Sequence, residues 1–226
     1  SRVTPRTLAE PIRNAIDSIA GLAFPNTCQI CQKQSASQDE GYVCGPCLKS
    51  VRPLRPPWCN LCCLPVEESA QVNEPCPNCV DMEWQFNHSR ALLPAQGIVR
   101  DVIHRYKYQQ HDFFEPLFRH WIRIHLNEEQ IIKPDAIVPI PLHATKERER
   151  GFNQAARLAT YFAESFNSPV HQQALNRIKP TETQTHLSRK KRLANMINAF
   201  AIGSGYQKTD SVLLIDDVMT TGATVS

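Results

Sequence analysis

Residues 212–224 read Val-Leu-Leu-Ile-Asp-Asp-Val-Met-Thr-Thr-Gly-Ala-Thr, and the fold assignment starts from this stretch. Four apolar residues, two acids and a turn predict a buried strand over 211–217, with Asp216 and Asp217 at its carboxyl end. Open α/β sheets bind their ligands at the carboxyl ends of strands. We therefore expect the acid pair to lie in a ligand site.

The loop after the acids has the composition of a phosphate-binding site. Thr220, Thr221 and Gly222 precede a predicted helix, whose first N–H groups and positive dipole end favour an anion. Gly222 lets the backbone approach a ligand closely, and the hydroxyls of Thr220, Thr221 and Thr224 add donors. The two acids can accept hydrogen bonds from two hydroxyls of a ribose. The alternative interpretation is a capped turn with two solvated acids.

Apolar patterns over the rest of the cysteine-free part alternate between strand and helix. Residues 135–142 predict a buried strand ended by prolines, and 151–166 predict an amphipathic helix. The remaining predicted elements are helices near 98–103 and 113–122, a strand near 170–175, and at most a short strand in 86–93. This alternation predicts an α/β fold with a mainly parallel sheet.

All nine cysteines lie between Cys28 and Cys79, and eight of them form four CxxC pairs at near-equal spacing. Two such pairs can surround one Zn²⁺ ion with Zn–S distances of roughly 2.3 Å, so four pairs predict two structural zinc ions. A sequential pairing gives the sets Cys28, Cys31, Cys44, Cys47 and Cys59, Cys62, Cys76, Cys79. An interleaved pairing is the alternative. Cys63 is the extra thiol, either idle or a substitute for Cys62.

Other uses of these cysteines fit the pattern less well. Disulfides are disfavoured because nine is an odd number and no export signal is present, and four CxxC pairs in series exceed what redox chemistry needs. Residues 1–79 hold seven Lys/Arg and seven Asp/Glu, so eight thiolates with two Zn²⁺ ions would make this part negative. Phosphate binding needs a positive surface, so we expect the ribbons to act as a scaffold or to dock a partner.

The composition excludes several classes of protein. The chain has 226 residues, 42% hydrophobic and 21% charged, with a net charge of +3 that by itself does not indicate nucleic-acid binding. No run approaches about 18 apolar residues and no secretory signal stands at the start, so we expect a cytoplasmic protein without a membrane span. Residues 8–19 predict an amphipathic helix, for the core or for a partner. The chain begins without Met and stops soon after Gly222, so we expect a fragment with a truncated C-terminus.

The stretch 212–224 resembles the phosphoribosyl pyrophosphate (PRPP) loop of type I phosphoribosyltransferases. Ahead of it stand Pro139-Ile-Pro-Leu142, the run 148–154 (Arg-Glu-Arg-Gly-Phe-Asn-Gln), and a segment that begins at Arg177. The motif residues of that segment are Arg177, Thr183, Gln184, Leu187, Arg192 and Asn195. This succession behind a double zinc ribbon is similar to the ComF family, which includes competence protein ComF and GntX-like proteins. The resemblance covers the chain from about residue 22 to its end.

The resemblance implies a type I phosphoribosyltransferase-like (Rossmann-like) fold behind a small double zinc-ribbon domain. On this basis we expect an N-terminal helix and lead-in over 1–27, the double zinc ribbon over 28–80, and a phosphoribosyltransferase-like domain over 81–226. That last domain would be incomplete, because in this fold the helix after the PRPP loop continues and another strand follows.

The resemblance also implies roles for individual residues. Asp216 and Asp217 would bind the ribose hydroxyls of PRPP, and the 5′-phosphate would lie on Thr220, Thr221, Gly222, Ala223 and Thr224. Mg²⁺ would accompany PRPP. Arg148 and Arg150 are candidate charge partners of the pyrophosphate, the alternative being a solvated helix start. The flexible-loop candidates are Arg177, Thr183 and Arg192. Lys107 matches a family Lys-Tyr, and the alternative is a solvated helix lysine.

Two functions follow from these features. The first is an enzyme that transfers phosphoribose from PRPP to a nitrogen nucleophile, or reverses this reaction in nucleotide salvage. The second is a non-catalytic helper in DNA uptake or use, which binds a partner protein or single-stranded DNA through the ribbons and the basic loop 177–192. That loop holds six Lys/Arg and one acid. ComF-family members are associated with natural transformation or with the use of DNA as a nutrient.

Overall fold

The computed structural model describes residues 26–67, 76–80, 84–126, 131–180 and 196–219. Several sequence predictions lie outside these ranges: the helix over 8–19, Thr183 and Arg192 of the basic loop, and the loop 220–224. None of the described helices has the length and apolar character needed to cross a membrane.

The cysteine-rich part consists of two short ribbons. Each begins with a tight turn closed by an antiparallel bridge, Thr27 with Ser35 in the first and Trp58 with Pro65 in the second. In the first ribbon, a 3₁₀ turn and the helix α1 (Gly45–Ser50) follow. The two ribbons therefore start with the same local structure.

The first ribbon packs on a pair of helices, α2 (Gly97–Tyr108) and α3 (Glu115–His125). Their shared core includes Cys28, Val43, Val102, Phe114, Leu117 and Trp121. Arg105 of α2 donates to the main-chain oxygen and to the Oε1 of Gln29, at 2.7 and 3.1 Å. The first ribbon and the helix pair are therefore one packing unit, held by apolar contact and by these hydrogen bonds.

The central sheet is parallel where it carries the acid pair. Strands β1 (Ala136–Pro139) and β4 (Val212–Ile215) pair in parallel, and Val170 forms a parallel bridge to Ile137 on the other side of β1. All four residues of β1 are buried, and helix α5 (Gln154–Phe166) packs against the sheet. The α/β character expected from the sequence is confirmed, and the carboxyl ends of β1 and β4 lie at the same edge.

A second, antiparallel pair of strands lies between these elements in sequence. It consists of β2 (Leu175–Arg177) and β3 (Phe200–Ile202). The predicted strand near 170–175 was therefore wrong in extent, because only the bridge at Val170 and the first residue of β2 fall in it. Residues 86–93 form no strand.

Strand β4 is buried on one face only, in contrast to the fully buried strand that the sequence predicts. Ile215 is 5% exposed and packs in the sheet core, whereas Val212 and Leu214 are 46% and 40% exposed. Alternate residues of a strand point to opposite faces, so the described part of the chain covers one side of β4.

The run 148–154 connects the two helices that follow β1. Helix α4 (Ala144–Arg150) ends at Gly151, whose φ of +79° suits glycine. Asn153 caps α5 by accepting the N–H of Ala155 at 3.0 Å, and its Nδ2 donates to the carbonyl oxygen of Ile140 at 3.1 Å. This one side chain fixes the start of α5 against the end of β1.

Candidate functional site

The eight paired cysteines form two compact groups of four sulfur atoms. Within each group the sulfurs all lie within 4.8 Å of one another. The Sγ–Sγ distance is 3.7 Å for Cys31 and Cys44, and 3.5 Å for Cys62 and Cys76. Sulfurs placed tetrahedrally at roughly 2.3 Å from one ion are about 3.8 Å apart. Each group therefore has the composition and the spacing of a structural zinc site.

The pairing is sequential, as one of the two predicted arrangements requires. The first group is Cys28, Cys31, Cys44 and Cys47, and the second is Cys59, Cys62, Cys76 and Cys79. With four thiolates around each position, neither group leaves an open coordination site for substrate. Both groups are structural rather than catalytic in form.

Hydrogen bonds from main-chain N–H groups stabilise the thiolate form of the first cysteine in each group. Burial acts to raise the pKa of Cys28, but main-chain N–H groups, including that of Cys44 at 3.3 Å from the sulfur, lower it to about 6. The same opposing causes bring the pKa of Cys59 to about 6. Because the thiolate is the metal ligand, these hydrogen bonds favour metal binding at neutral pH.

Cys63 is outside the second four-sulfur group, and Cys62 is inside it. The φ of Cys63 is +58°, close to the +56° of Gln32, which directly follows the first CxxC pair of the first ribbon. Both residues donate their main-chain N–H to the carbonyl of the first cysteine, at 2.9 Å. The Cys63 thiol is buried, which raises its pKa, and it accepts the N–H of Ala91 at 3.4 Å. Cys63 therefore has a packing role beside the metal site.

Asp216 and Asp217 lie where the sequence predicts, directly after β4 at the carboxyl edge of the parallel strands. The side chain of Asp216 accepts the main-chain N–H of Asp217 at 2.9 Å. Desolvation by the surrounding protein raises the pKa of Asp216 to about 7, and the neighbouring charge of Asp217 adds to this effect. The Asp216 residue is nevertheless exposed to solvent, on the wall of an open cavity.

Lys107 is a member of this site. Its Nζ is 2.7 Å from Oδ2 of Asp217, and the two side chains are only 17% and 14% exposed. Of the two interpretations of this lysine, the solvated one is wrong. Tyr106 is buried against Phe118 and Phe152, which fixes the last turn of α2 and directs the next residue towards the acids. In the sequence, only the match to the family's Lys-Tyr pair indicated that Lys107 belongs to this site.

Three further cations, Lys146, Arg150 and Arg177, form a cluster, and Arg177 is within electrostatic range of Asp216. Burial lowers the pKa of Arg177, while the charge of Asp216 acts in the opposite direction and that of Arg150 adds to the lowering. Burial also lowers the pKa of Lys146, and Arg177 and Arg150 contribute. These three side chains therefore lie within electrostatic range of one another. Lys146 was not singled out in the sequence, since it lies in a run of alternating charges.

The two predicted arginines of the run 148–154 have different surroundings. Arg150 is half-buried, stacks over the ring of Tyr108 at 5.3 Å, and donates to Oε1 of Gln154 at 2.9 Å. Arg148 is exposed. Of this pair, Arg150 is the one that the structure places in the cationic cluster of Lys146, Arg150 and Arg177.

A cavity of about 350 Å³ adjoins the acid pair. Its walls come from the second ribbon, the segment 90–95, the helices α2, α3 and α5, and residues 216–219. Most of the lining is aliphatic or aromatic, with polar groups from the acids, Arg90 and Gln154. This volume is within the range of about 300–1,000 Å³ that is usual for small-molecule sites. The candidate site thus combines an acid pair, a cationic cluster and an apolar cavity.

Comparisons with known proteins agree with the zinc-site geometry. A family model described as "Double zinc ribbon domain" matches residues 19–80. No solved structure matches the chain.

Three curated proteins illustrate the similarity over most of the chain. The chain is 28% identical to "DNA utilization protein YhgH" of Salmonella typhimurium over 212 residues, 91% of this chain and 89% of that protein. It is 27% identical to "Competence protein F" of Haemophilus influenzae over 190 residues, 81% of each chain. It is 26% identical to "Competence protein ComFC" of Bacillus subtilis over 191 residues, 81% of this chain and 74% of that protein.

Proposed function

The chain belongs to the ComF/YhgH family with its double zinc ribbon, and from this premise we propose that it is a phosphoribosyltransferase-like protein. In this proposal it binds PRPP or a nucleotide at Asp216 and Asp217, and it serves the uptake or use of DNA. The names of the relatives support the second part, since they refer to competence and to DNA utilization.

The observation that carries the proposal is the position of the acid pair. Asp216 and Asp217 leave a parallel strand at the sheet edge where α/β proteins bind ligands. Two neighbouring carboxylates can accept hydrogen bonds from the two adjacent hydroxyls of a ribose. The loop 220–224, with its three threonines and Gly222, would then receive the 5′-phosphate. In this proposal residues 81–226 have the type I phosphoribosyltransferase-like fold, behind the double zinc ribbon.

The cationic cluster supplies the charge that a pyrophosphate group needs. Lys146, Arg150 and Arg177 lie close enough to influence each other's pKa values, and a polyanion would relieve their mutual repulsion. Arg150 is held in place by Gln154 and Tyr108. The expected binding mode therefore places the ribose at the acids and the pyrophosphate at these cations.

In the proposed reaction, the bond between ribose C1 and the pyrophosphate oxygen breaks, and a bond from C1 to a nitrogen nucleophile forms. Positive charge develops at the ribose ring, and negative charge develops on the leaving pyrophosphate. The acid pair orients the ribose through its hydroxyls, and the cationic cluster favours departure of the anion. Mg²⁺ bound with PRPP would neutralise pyrophosphate charge, and the carboxylate oxygens of Asp216 beside the open cavity are of the kind that this ion prefers.

Calorimetric titration of PRPP with Mg²⁺ into the zinc-loaded protein tests this proposal. We expect micromolar binding that falls at least tenfold in the double variant Asp216→Asn/Asp217→Asn, with unchanged zinc content. Asp210→Asn is a matched control, since it removes an exposed acid that lies just before the amino end of β4. Equal affinity in the double variant and the wild type would refute the assignment of the site.

The second candidate function is a non-catalytic helper in DNA uptake, favoured by the names of the relatives. In that case the acid pair would hold a nucleotide without turnover, and the ribbons or the basic loop would bind a partner protein or single-stranded DNA. Release of pyrophosphate from PRPP, measured with a panel of nucleobases, distinguishes the two. Binding without any release would favour the helper.

A further inference from the structure

Side-chain contacts hold residues 216–219, which connect β4 to the loop 220–224. Within the described ranges, no main-chain hydrogen bond joins these four residues to another segment. The carboxylate of Asp217 pairs with Lys107 of α2 at 2.7 Å. Two residues later, Met219 packs against the second group of cysteines. The position of the acid pair and of the start of the loop therefore depends on α2 and on the second ribbon.

The second ribbon is itself attached to the chain that leads into α2. Ser89 donates its main-chain N–H to the carbonyl oxygen of Leu61 at 2.7 Å, and Arg90 Nη1 donates to the carbonyl oxygen of Asn60 at 3.2 Å. Asn60 and Leu61 are the two central residues of the first CxxC turn in this ribbon. These hydrogen bonds therefore fix the metal-binding turn itself relative to the segment before α2.

The two ribbons differ in what their cysteines pack against. In the first ribbon, Cys28 and Cys44 belong to the helix core, together with Val102 of α2. In the second, the four cysteines are the buried residues of a separate small cluster in the described part of the chain. The partly buried side chains packed on that cluster are Leu61, Val66, Trp84 and Met219. Because a small four-cysteine domain depends on its ion to fold, loss of the second ion should disorder the surface under Met219 and leave the helix core in place.

We propose that Met219 is a positioning residue, through which the metal-filled second ribbon keeps the acid pair and the loop 220–224 in the arrangement that binds ligand. Filling of the second zinc site and ligand binding then favour each other, because both order residues 216–219. Such a coupling is reciprocal, and between two sites it commonly changes affinity about 5- to 150-fold. The inference rests on the proposed function in so far as the ligand is PRPP or a nucleotide. It makes ligand binding depend on the metal content of the second ribbon.

Two measurements on the full zinc-loaded chain test this coupling. Calorimetry gives the affinity for PRPP with Mg²⁺ and for the ribonucleoside 5′-monophosphates. A colorimetric zinc chelator gives the rate of zinc extraction from each site, with and without these ligands. The phase that belongs to the first site is identified with Cys79→Ser, which removes a ligand of the second site at a residue that does not line the cavity.

Three further variants isolate the contact of Met219. Met219→Ala removes it, whereas Met219→Leu keeps an apolar side chain of similar volume. Val80→Ala is the matched control, because it shortens a side chain of the same ribbon that is 62% exposed. Melting temperatures establish that each variant is folded.

We expect Met219→Ala and Cys79→Ser to weaken ligand binding at least about fivefold, and Met219→Leu and Val80→Ala to remain within about twofold of the wild type. In the wild type, bound ligand should slow zinc extraction from the second site at least about threefold and leave the first site unchanged. This protection should be lost in Met219→Ala. Protection in the wild type needs no variant, so the test does not depend on the folding of any one of them.

Wild-type affinity in both Met219→Ala and Cys79→Ser, or equal protection of both zinc sites, would overturn the inference and leave the proposed function standing. Weaker binding in Met219→Ala with unchanged zinc protection would make Met219 a ligand contact, which also overturns the positioning role. A wild type that binds neither PRPP nor a monophosphate refutes the proposed function, and the coupling with it.

Discussion

Replacing the two neighbouring acids one at a time should change the stability of the protein in opposite directions. Asp217 forms a 2.7 Å ion pair with Lys107, and both side chains are largely buried. For Asp216, desolvation and then the neighbouring charge of Asp217 raise the pKa to about 7. The change Asp217→Asn removes a favourable partner, whereas Asp216→Asn removes an unfavourable charge.

The sizes of the two effects follow from these surroundings. Asp217→Asn leaves the Lys107 ammonium without its carboxylate, which costs about 1–3 kcal/mol of unfolding free energy for a largely buried group. Asp216 has a folded-state pKa above its ordinary value of 3.8, so its contribution to stability falls as pH rises from about 4 to about 7. The stability of Asp216→Asn relative to the wild type should therefore increase with pH, and the difference should reach its full value at about pH 8.

Urea denaturation of the zinc-loaded protein at pH 6, 7 and 8 measures these differences. Asp210→Asn serves as the control, and loss of zinc at the lower pH affects all variants alike. We expect the unfolding free energy of Asp216→Asn to increase relative to that of the wild type as pH rises. That of Asp217→Asn should be below the wild-type value at every pH. If both variants lost stability equally, with no dependence on pH, the assigned electrostatics of the pair would be wrong.

Three further predictions concern the zinc sites, the helix core and the basic loop. The wild type and Cys63→Ser should each contain about two zinc ions per chain by elemental analysis, whereas Cys62→Ser should contain about one; equal zinc in the two variants would contradict the assignment of the ninth thiol. Glu115→Gln should destabilise the protein by about 1–3 kcal/mol in thermal denaturation, because its carboxylate accepts two tyrosine hydroxyls at 3.0 and 2.9 Å. If the basic loop binds single-stranded DNA, changing Lys190 and Lys191 to Ala should weaken binding and flatten its salt dependence in fluorescence titrations, and an unchanged salt slope would remove this role.

The Glu115 network illustrates how the helix core is specified. The hydroxyl of Tyr106 comes from α2 and that of Tyr161 from α5, and both donate to the same carboxylate on α3. Burial, together with the charge and the hydrogen bond of Glu115, raises the pKa of each tyrosine well above its usual range. The hydroxyls therefore stay protonated as donors, and the network joins three helices, of which α5 is distant in sequence from the other two.

Features with a short-range physical cause could be predicted from the sequence. A CxxC pair puts two thiols on one turn whatever surrounds it, so the spacing of the four pairs is enough to predict two zinc sites. The run Val-Leu-Leu-Ile-Asp-Asp predicted both β4 and the position of the acids at its end. The helices α2, α3 and α5 followed from apolar periodicity for the same reason, since each is a local pattern.

Tertiary structure decided which of these local elements meet. Sequential pairing of the cysteines, the ion pair of Lys107 with Asp217 across 110 positions of sequence, and the cationic cluster all depend on contacts between distant segments. The same holds for the cavity, where the second ribbon, three helices and the acid pair come together. A lysine in a helix has the same local pattern whether it is solvated or paired, because its partner is chosen by packing. The sequence by itself thus determined the chemical groups available, and only the packing of the fold decided their partners.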